Sequence, residues 1–361
     1  MSTSSPIEHV VIIVKENHTF DNYFSTFPRV KTKITKATLR HSNNPPDPME
    51  VGVLEHGPWL NRAQTARNQQ FFESDIPKYF EYARRYTLCD HYFTEVSGPS
   101  GPNHLMLIAA YSPVINNPTD AQKNLLKQNP ITESLPSLLG KKNLDWRNYS
   151  GYMFSAIKAD SSAHYQRQST QFATDAKQGD LPAVCWVYAP DHGLSEHPPI
   201  NETEQKAGVG NVTAGSEWTA RQVEAVMNGP AWQKTVIFVT WDDWGGWSDS
   251  LNPPLVETWK SDPQHTEWDP DPHRPYAASL VNLSSWDITQ PTQFRYGSRS
   301  PCLVISPHAK KGHISKSLYS HVSLLRFCEL IFELPNINDR DKNADPMTDC
   351  FPPEFWTSVY K

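Results

Sequence analysis

The sequence predicts an α/β domain whose doubly wound, mostly parallel central sheet is flanked by helices. Short apolar runs rich in β-branched residues recur along the chain, and segments with helical spacing lie between them. Polar residues that can carry chemistry directly follow several of these runs. The predicted strands cover residues 7–14, 181–190, 236–240 and 301–307. The predicted helices cover residues 76–86, 105–110, 135–139, 217–227 and 320–332.

The first predicted strand and the first predicted helix show the residue patterns typical of a buried strand and of an amphipathic helix. Residues 7–14 are nearly continuous in Val and Ile, which is typical of a strand buried on both faces of a parallel sheet. In residues 76–86 the apolar side chains recur at helical spacing, as at Ile76, Tyr79 and Phe80. The alternation of such segments favours strands joined by helices.

The later elements repeat this order. Ser100 lies in a Gly-Pro-Ser-Gly-Pro segment before the apolar run 105–110, so we expect it at or near the N-cap of a helix. The run 181–190 is a further apolar strand candidate, and the helix 217–227 leads from it to the run 236–240. That last run is the most β-branched of the later strands and is predicted to be buried.

Loop-rich insertions are predicted between these elements. The chain of 361 residues contains 31 Pro and only 16 Gly, a composition typical of much ordered, irregular loop. The segment 43–48, Asn-Asn-Pro-Pro-Asp-Pro, cannot continue a helix or a central strand. We therefore predict a single domain over 1–361, with insertions at about 28–62 and 250–295.

Composition excludes several classes of partner. The net charge is −6 and no run of Lys or Arg occurs, so a nucleic-acid-binding footprint is absent. The 12 Trp, 14 Tyr and 15 Phe argue against disorder. No apolar run approaches the roughly 20 residues of a transmembrane helix. The N-terminus lacks a secretory pattern, which predicts a cytoplasmic location for the chain as given and a secreted or periplasmic one if a signal was removed.

Oxygen donors follow two of the predicted strands. Glu16 and Asn17 come after the first strand, and Asp242 and Asp243 come after residues 236–240 and before a Gly-Gly turn. In open α/β sheets, ligands bind outside the carboxyl ends of the strands. Such oxygens suit Ca²⁺, Mg²⁺ or Mn²⁺ better than Zn²⁺. Each pair taken alone is also compatible with an ordinary polar turn or helix cap.

A hydroxyl and several histidines add to these donors. Ser100 at a helix N-terminus lies where backbone N–H groups favour an alkoxide or a phosphate. The histidines that accompany the predicted strand ends, loops and helix starts are His56, His192, His197 and His321. Together with the oxygen donors they form the set that phosphoryl transfer to a metal-activated hydroxyl requires.

Five segments, in order, resemble the phosphoesterase family of bacterial acid phosphatases and phospholipases C, in the alkaline-phosphatase superfamily. The most specific are Gly98-Pro-Ser100-Gly-Pro102-Asn103-His104 and Thr240-Trp-Asp242-Asp243-Trp-Gly-Gly-Trp-Ser-Asp249. The five segments are Glu16–Phe24, Asp90–His104, Ser195–Pro198, Thr240–Asp249 and Tyr319–Phe327. The resemblance implies an alkaline-phosphatase-like fold with insertions over the active site.

The resemblance also implies roles for particular residues. Ser100 would be both the nucleophile and a ligand of one divalent metal ion, Ca, Mg or Mn being favoured and Zn possible, and a phosphoserine would form and be hydrolysed by water. Asn103 would contact a phosphate oxygen, and His56 and His197 would line the phosphate pocket. The full set of implied metal ligands is Glu16, Asn17, Ser100, Asp242 and Asp243.

Four positions depart from the family pattern. Asp243 stands where Glu is common, which shortens its reach by one methylene. Ser250 stands where His often follows Asp249, and Ser320 stands where Asp usually precedes a histidine. Lys316 lies where the family often has His.

Rival functions remain open at this stage. A sulfatase of the same superfamily would use Ser97 as its reactive residue, but Gly101 stands where such an enzyme needs Arg. A catalytically silent binding protein on this fold is the other alternative. Within the enzyme interpretation, the substrate is a small phosphate ester or a phospholipid head group. Trp241, Trp244 and Trp247 either line an aromatic mouth for choline or pack in the core.

Overall fold

The computed structural model describes residues 5–35, 55, 58–59, 62–114, 116–159, 162, 164–254 and 296–360. The strands in these ranges are β1 (His9–Lys15), β2 (Thr87–Cys89), β3 (Tyr92–Phe93), β4 (Trp146–Tyr149), β5 (Gln166–Arg167), β6 (Val184–Tyr188), β7 (Thr235–Trp241), β8 (Cys302–Ile305), β9 (His313–Ser315) and β10 (Tyr319–Ser320). The α-helices are α1 (Phe20–Phe24), α2 (Arg62–Thr65), α3 (Pro77–Arg85), α4 (Ser100–Ala109), α5 (Asp120–Gln128), α6 (Leu135–Lys141), α7 (Ser169–Gln178), α8 (His192–Ser195), α9 (Glu202–Lys206), α10 (Val212–Met227), α11 (His321–Ile331), α12 (Asp339–Asn343) and α13 (Pro353–Val359). Short 3₁₀ turns cover Met153–Ala156, Trp232–Lys234 and Thr348–Cys350.

An eight-stranded central sheet has the strand order β5-β4-β6-β1-β7-β8-β2-β9. Strands β4, β6, β1 and β7 pair in parallel, whereas β8 runs antiparallel to both of its neighbours. The carboxyl ends of β6, β1 and β7 therefore meet at one edge of the sheet, where open α/β folds place their ligands. The predicted doubly wound, mostly parallel sheet is confirmed.

Both faces of the sheet are covered by apolar side chains. In β1, Val10, Ile12 and Val14 pack into one core, while Val11 and Ile13 pack into the other. The first core includes residues of α4, α6, α11 and α13, and the second includes residues of α1, α3, α7 and α10. A strand buried on both faces carries apolar residues at every position, which is why this run was recognisable in the sequence.

The long predicted elements are confirmed with shifts of a few residues at their ends. Helix α4 begins at Ser100, five residues before the predicted apolar run, because its first turn is Ser-Gly-Pro-Asn-His and carries no apolar signal. Helix α10 likewise begins before residue 217, where the Asn211 side chain accepts a hydrogen bond from the backbone N–H of Ala214 at 2.9 Å. The two- and three-residue strands were not predicted.

Large parts of both predicted insertions lie outside the described residues, namely 36–54, 56–57, 60–61 and 255–295. The boundaries of the single domain and the location of these insertions over the site stay predictions. Of the helices in the described ranges, none has both the length and the apolarity that a membrane span requires.

Candidate active site

The ends of β1 and β7 bring the two predicted pairs of oxygen donors together. The two strands are in register, with Lys15 opposite Trp241. The backbone N–H of Asp242 donates to the carbonyl of Lys15 at 3.0 Å, and that of Asn17 donates to Asp242 Oδ1 at 2.8 Å. These bonds place both turns at one point, so the convergence expected from the sequence is confirmed.

Two residues in the left-handed region shape these turns. Asn17 has a φ of 59°, a conformation that Asn tolerates better than most residues. Gly245 also has a φ of 59°, and a Cβ there would lie 1.8 Å from the backbone oxygen of Asn17. Glycine is therefore required at 245 both for its conformation and for the close approach of the two turns.

Ser100 lies against these turns as the first residue of α4. Its buried hydroxyl is 2.7 Å from Asp243 Oδ2 and 3.2 Å from Asn17 Oδ1, and can donate to either oxygen. The N-cap residue is Pro99 rather than Ser100. The shorter side chain at Asp243 thus still reaches the serine, so that departure from the family pattern does not separate the two groups.

Asn103 holds the loop that precedes Ser100. Its Oδ1 accepts from the backbone N–H of Val96 at 2.8 Å, and its Nδ2 lies within 3.3 Å of the carbonyls of Val96, Gly98 and Pro99. The side chain is fully buried. In this geometry Asn103 positions the loop that precedes Ser100, and its contact with a phosphate oxygen stays a prediction.

His197 orients the amide of Asn17. Its Nδ1 lies 2.6 Å from the carbonyl of Pro198, which fixes the hydrogen on Nδ1 and leaves Nε2 as an acceptor. Asn17 Nδ2 then donates to His197 Nε2 at 3.1 Å, so Asn17 Oδ1 is turned toward Ser100. The ring of His192 stacks on His197 with centroids 4.8 Å apart.

His104 also belongs to the site, although no role was predicted for it. Its Nε2 lies 3.2 Å from Asp242 Oδ2 and 3.5 Å from Glu16 Oε1, and its Nδ1 lies 3.2 Å from the hydroxyl of Tyr188. Ligand atoms of Glu16, His104 and Asp242 all lie within 4.8 Å of one another. His104 follows Ser100 by four residues in a helix, and this spacing could have placed it on the same face.

Oppositely charged side chains lie close together in the group of Glu16, His104, Asp242 and Asp243. Burial alone would lower the pKa of His104, but its contacts with Asp242 and Glu16 outweigh burial and raise the pKa to about 10. Burial raises the pKa of Asp243 well above its usual range, and the charge of Asp242 adds to that effect. Burial acts in the same direction on Asp242, but His104 holds the pKa of that carboxyl below its usual range.

The residues present fit a divalent cation. Asp242 Oδ2 and His104 Nε2 are buried and form an ion pair at 3.2 Å, but within the described part of the chain neither atom makes a hydrogen bond of good geometry. Buried polar atoms without partners are rare and call for an unseen water or ion. Two carboxylates with an imidazole, beside the oxygens of Asn17, Ser100 and Asp243, form a donor set that metal ions use.

A buried ion pair anchors the strand end behind the site. Lys15 and Glu196 are both fully buried, with Lys15 Nζ 3.3 Å from Glu196 Oε1. Glu196 also accepts hydrogen bonds from Tyr79 at 2.5 Å, Tyr23 at 2.6 Å and Trp241 at 3.1 Å. Burial lowers the pKa of Lys15, and the charge of Glu196 opposes that effect. The pair lies next in sequence to Glu16 and to His197, and so fixes both.

Replacing Glu196 with Gln is expected to destabilise the protein by about 3–5 kcal/mol, since it leaves the Lys15 ammonium buried without a countercharge. Urea unfolding of the variant measures this loss. The matched control is Glu202→Gln, which removes an exposed partner of Lys206 at 3.2 Å and is expected to change stability little. Equal unfolding midpoints for the two variants would contradict the role given to the buried pair.

A second buried ion cluster joins three of the family motifs. The guanidinium of Arg299 lies 2.8 Å from Asp21, 2.8 Å from Asp90 and 3.2 Å from Asp249. The guanidinium carbon Cζ of Arg299 lies 4.1 Å from the centroid of the Phe20 ring. Burial raises the pKa of Asp249 to about 7, although Arg299 opposes the shift. These aspartates are therefore structural residues that hold the motif segments together.

The tryptophans of the Gly-Gly turn pack inside the protein. The indole N–H of Trp241 donates to Glu196, Trp247 stacks on His18 at 5.6 Å, and Trp244 packs with Trp59. All three are buried, so the interpretation of them as an aromatic mouth for choline is wrong. The sequence could not separate the two alternatives because both place Trp beside the turn.

Two other histidines named from the sequence have different locations. His321 is buried with Nε2 2.7 Å from the carbonyl of Asp242 and Nδ1 2.9 Å from the hydroxyl of Tyr92, and so supports the turn that contains Asp242. His56 lies outside the described residues, and its place in the phosphate pocket stays a prediction.

A cavity of about 690 Å³ opens onto the site. Glu16, Ser100 and His197 line its inner end, so the nucleophile candidate faces a space large enough for a small ester. Ser97 is buried and Gly101 donates its backbone N–H to Asn117 Oδ1 at 2.7 Å. A Cβ at 101 would lie 2.8 Å from that oxygen, which leaves no ready space for the arginine of a sulfatase.

Known proteins resemble this chain over most of its length. It is 27% identical to the non-hemolytic phospholipase C of Pseudomonas aeruginosa, covering 92% of this chain and 55% of that protein. It is 24% identical to phospholipase C B of Mycobacterium tuberculosis, covering 96% of this chain and 77% of that protein. The chain thus spans about half the length of the Pseudomonas relatives that it matches.

A solved structure shows the same fold. The lipoteichoic acid synthase LtaP from Listeria monocytogenes superimposes with a TM-score of 0.50 at 11% identity, covering 95% of this chain and 77% of that one. This likeness concerns the fold alone. The sequence model of the phosphoesterase family matches residues 7–68 and 55–335, which is most of the chain. The protein therefore belongs to the phosphoesterase family.

Proposed function

We propose that this protein is a metal-dependent hydrolase of phosphate esters that forms a phosphoserine at Ser100. The observation that carries the proposal is the buried Ser100 hydroxyl, 2.7 Å from Asp243 Oδ2 at the inner end of an open cavity. Membership of the phosphoesterase family and similarity to proteins named phospholipase C support hydrolysis of a phosphoester bond.

The side chains supply the parts of the reaction. Ser100 Oγ attacks phosphorus, its hydrogen is directed at Asp243 Oδ2, and the ester bond to the leaving oxygen breaks. His197 holds the amide of Asn17 so that Oδ1 faces the hydroxyl. Water then hydrolyses the phosphoserine. The protonation of the leaving oxygen by His56 or His197 is a prediction from the family resemblance.

The metal would be held by residues of the same cluster. A hard cation would use the oxygens of Glu16, Asn17, Ser100, Asp242 and Asp243, whereas zinc would also use the imidazole of His104. A bound divalent cation would stabilise charge on the phosphate and lower the pKa of the serine hydroxyl. Asp242 Oδ2 and His104 Nε2, which are buried and make no hydrogen bond of good geometry within the described residues, support this assignment.

The test is hydrolysis of p-nitrophenyl phosphate and p-nitrophenyl phosphorylcholine, with and without EDTA, from about pH 5 to about pH 9. We expect turnover that EDTA abolishes and that added Ca²⁺, Mg²⁺, Mn²⁺ or Zn²⁺ restores. Preference for the first ester indicates a phosphatase, and preference for the second indicates a phospholipase C. No turnover of either ester by the metal-loaded protein would favour a silent binding protein and contradict the proposal.

A further inference from the structure

The chemistry of the outer cavity bears on which phosphate ester the site accepts. The cavity that begins at Ser100 continues past an apolar wall that includes Leu126, Met153 and Ala156. Lys123 and Lys127, from the same helix as Leu126, also line this cavity. A substrate held at Ser100 would therefore extend along apolar surface toward two ammonium groups.

The two lysines are placed to meet an anion. They lie four residues apart in α5, so they occupy one side of the helix, and both are exposed. Lys123 is 3.3 Å from the exposed Asp120, a weak surface pair. Lys127 makes no ion pair with any residue that the structure describes. Like charges at this spacing destabilise a helix slightly, and an anionic ligand would remove that cost.

Few features of this cavity favour a cationic group. The tryptophans of the Gly-Gly turn are buried in the core, so they form no cage for a quaternary ammonium. Two tyrosines line the cavity: Tyr188 is buried, and Tyr152, which is 49% exposed, packs its ring edge-on against His104 at 4.4 Å. Asp191 also lines the cavity, but its Oδ1 accepts from the backbone N–H of Leu194 at 3.0 Å.

We infer that the preferred substrate is a phosphate ester whose leaving group carries a second anionic group, a carboxylate or a further phosphate. Lys127, assisted by Lys123, binds this second anion, while the apolar wall packs against the part of the substrate between the two charges. The inference rests on the proposed function for the location of the reacting phosphate. By this inference, esters of choline are poor substrates because the positive charge of choline is repelled by the two lysines.

The test compares 3-phosphoglycerate, glycerol 3-phosphate and phosphorylcholine, whose small leaving groups end in a carboxylate, a hydroxyl and a quaternary ammonium. Phosphate release gives kcat/KM for each ester. We expect 3-phosphoglycerate to exceed glycerol 3-phosphate by about tenfold, the scale of two screened charge contacts, and phosphorylcholine to be the poorest. Raising the salt concentration from about 0.05 M to about 0.5 M should reduce these ratios.

Substitutions locate the effect. In the double variant Lys123→Gln and Lys127→Gln the ratio of kcat/KM for 3-phosphoglycerate to kcat/KM for glycerol 3-phosphate should fall by about tenfold. The matched control is Lys206→Gln, which removes an exposed lysine that does not line the cavity and should leave all three ratios intact. Equal rates for the three esters, or a preference that survives the double substitution, would overturn the inference.

Binding separates this inference from the proposed function. Calorimetric titration of the Ser100→Ala variant with the same three esters measures their affinity without turnover. If the wild-type protein hydrolyses none of the three esters but their affinities differ in an order that depends on the two lysines, the anion site is upheld and the hydrolase is rejected. Hydrolysis of p-nitrophenyl phosphate together with equal affinities for the three esters, or no binding of any, would reject the anion site and leave the hydrolase.

Discussion

Replacing Ser100 with alanine is expected to lower the hydrolysis of p-nitrophenyl phosphate by several powers of ten while the protein stays folded. The hydroxyl that contacts Asp243 and Asn17 is the nucleophile candidate at the inner end of the cavity, and alanine leaves nothing there to form a bond to phosphorus. Steady-state rates measure the loss of activity, and circular dichroism of the purified variant shows whether it is folded.

The matched control for this experiment is Ser97→Ala. Ser97 is a buried serine of the same loop and the residue that a sulfatase-like reaction would use. We expect the Ser97 variant to keep its activity and, after acid quenching, wild-type protein to carry phosphate on Ser100 by mass spectrometry. Residual activity above about a tenth in the Ser100 variant would remove Ser100 as nucleophile. Loss of activity only in the Ser97 variant would favour the sulfatase-like chemistry.

The second large effect is expected on metal binding. Asp242→Asn keeps the shape of the side chain and its acceptor for the backbone N–H of Asn17, but removes the negative charge shared with His104 and Glu16. Loss of a residue that only hydrogen-bonds to a metal ligand lowers metal affinity by about 10–100-fold. Because Asp242 is itself a proposed ligand, we expect the metal affinity of Asp242→Asn to fall by at least about 100-fold. Metal analysis of the purified protein and calorimetric titration with each divalent ion measure it.

Three further variants place the metal within the cluster. Asp191→Asn, in which an exposed carboxylate of the same cavity is neutralised, should bind metal as the wild type does. Loss of affinity in Asp243→Asn but not in His104→Gln would support the oxygen ligands implied by the family resemblance. The reverse result would support the group of Glu16, His104 and Asp242. Unchanged metal content in Asp242→Asn would contradict both assignments.

The long strands and the convergence of their ends could be predicted because they depend on local pattern. Residues 9–15 and 235–241 are buried along their length, so selection for apolar residues leaves an unbroken signal, and adjacent parallel strands must end at the same edge. The two-residue strands β3, β5 and β10 and the three-residue strands β2 and β9 have too few residues to show a period.

The parts of the site that could not be predicted depend on contacts distant in sequence. A lysine within an apolar strand is rarely buried, and only the fold shows that Lys15 meets Glu196 there. His104 followed Ser100 at a helical spacing, yet its contact with Asp242 joins residues 138 positions apart in the sequence. The roles of Trp241 and Trp247 were open in the sequence because burial, not residue type, decides between packing and recognition.

The Arg299 cluster has a consequence for how such enzymes can be remodelled. Asp249 lies shortly before residues 255–295 and Arg299 shortly after them. The salt bridge between the two residues therefore joins the chain before that stretch to the chain after it. Lengthening a loop with fixed ends costs only about 0.6 kcal/mol for each doubling of its length. Because the Asp249–Arg299 ion pair joins the chain on both sides of residues 255–295, we expect segments of other lengths and sequences to be tolerated there while the turn that holds Asp242 and Asp243 keeps its geometry.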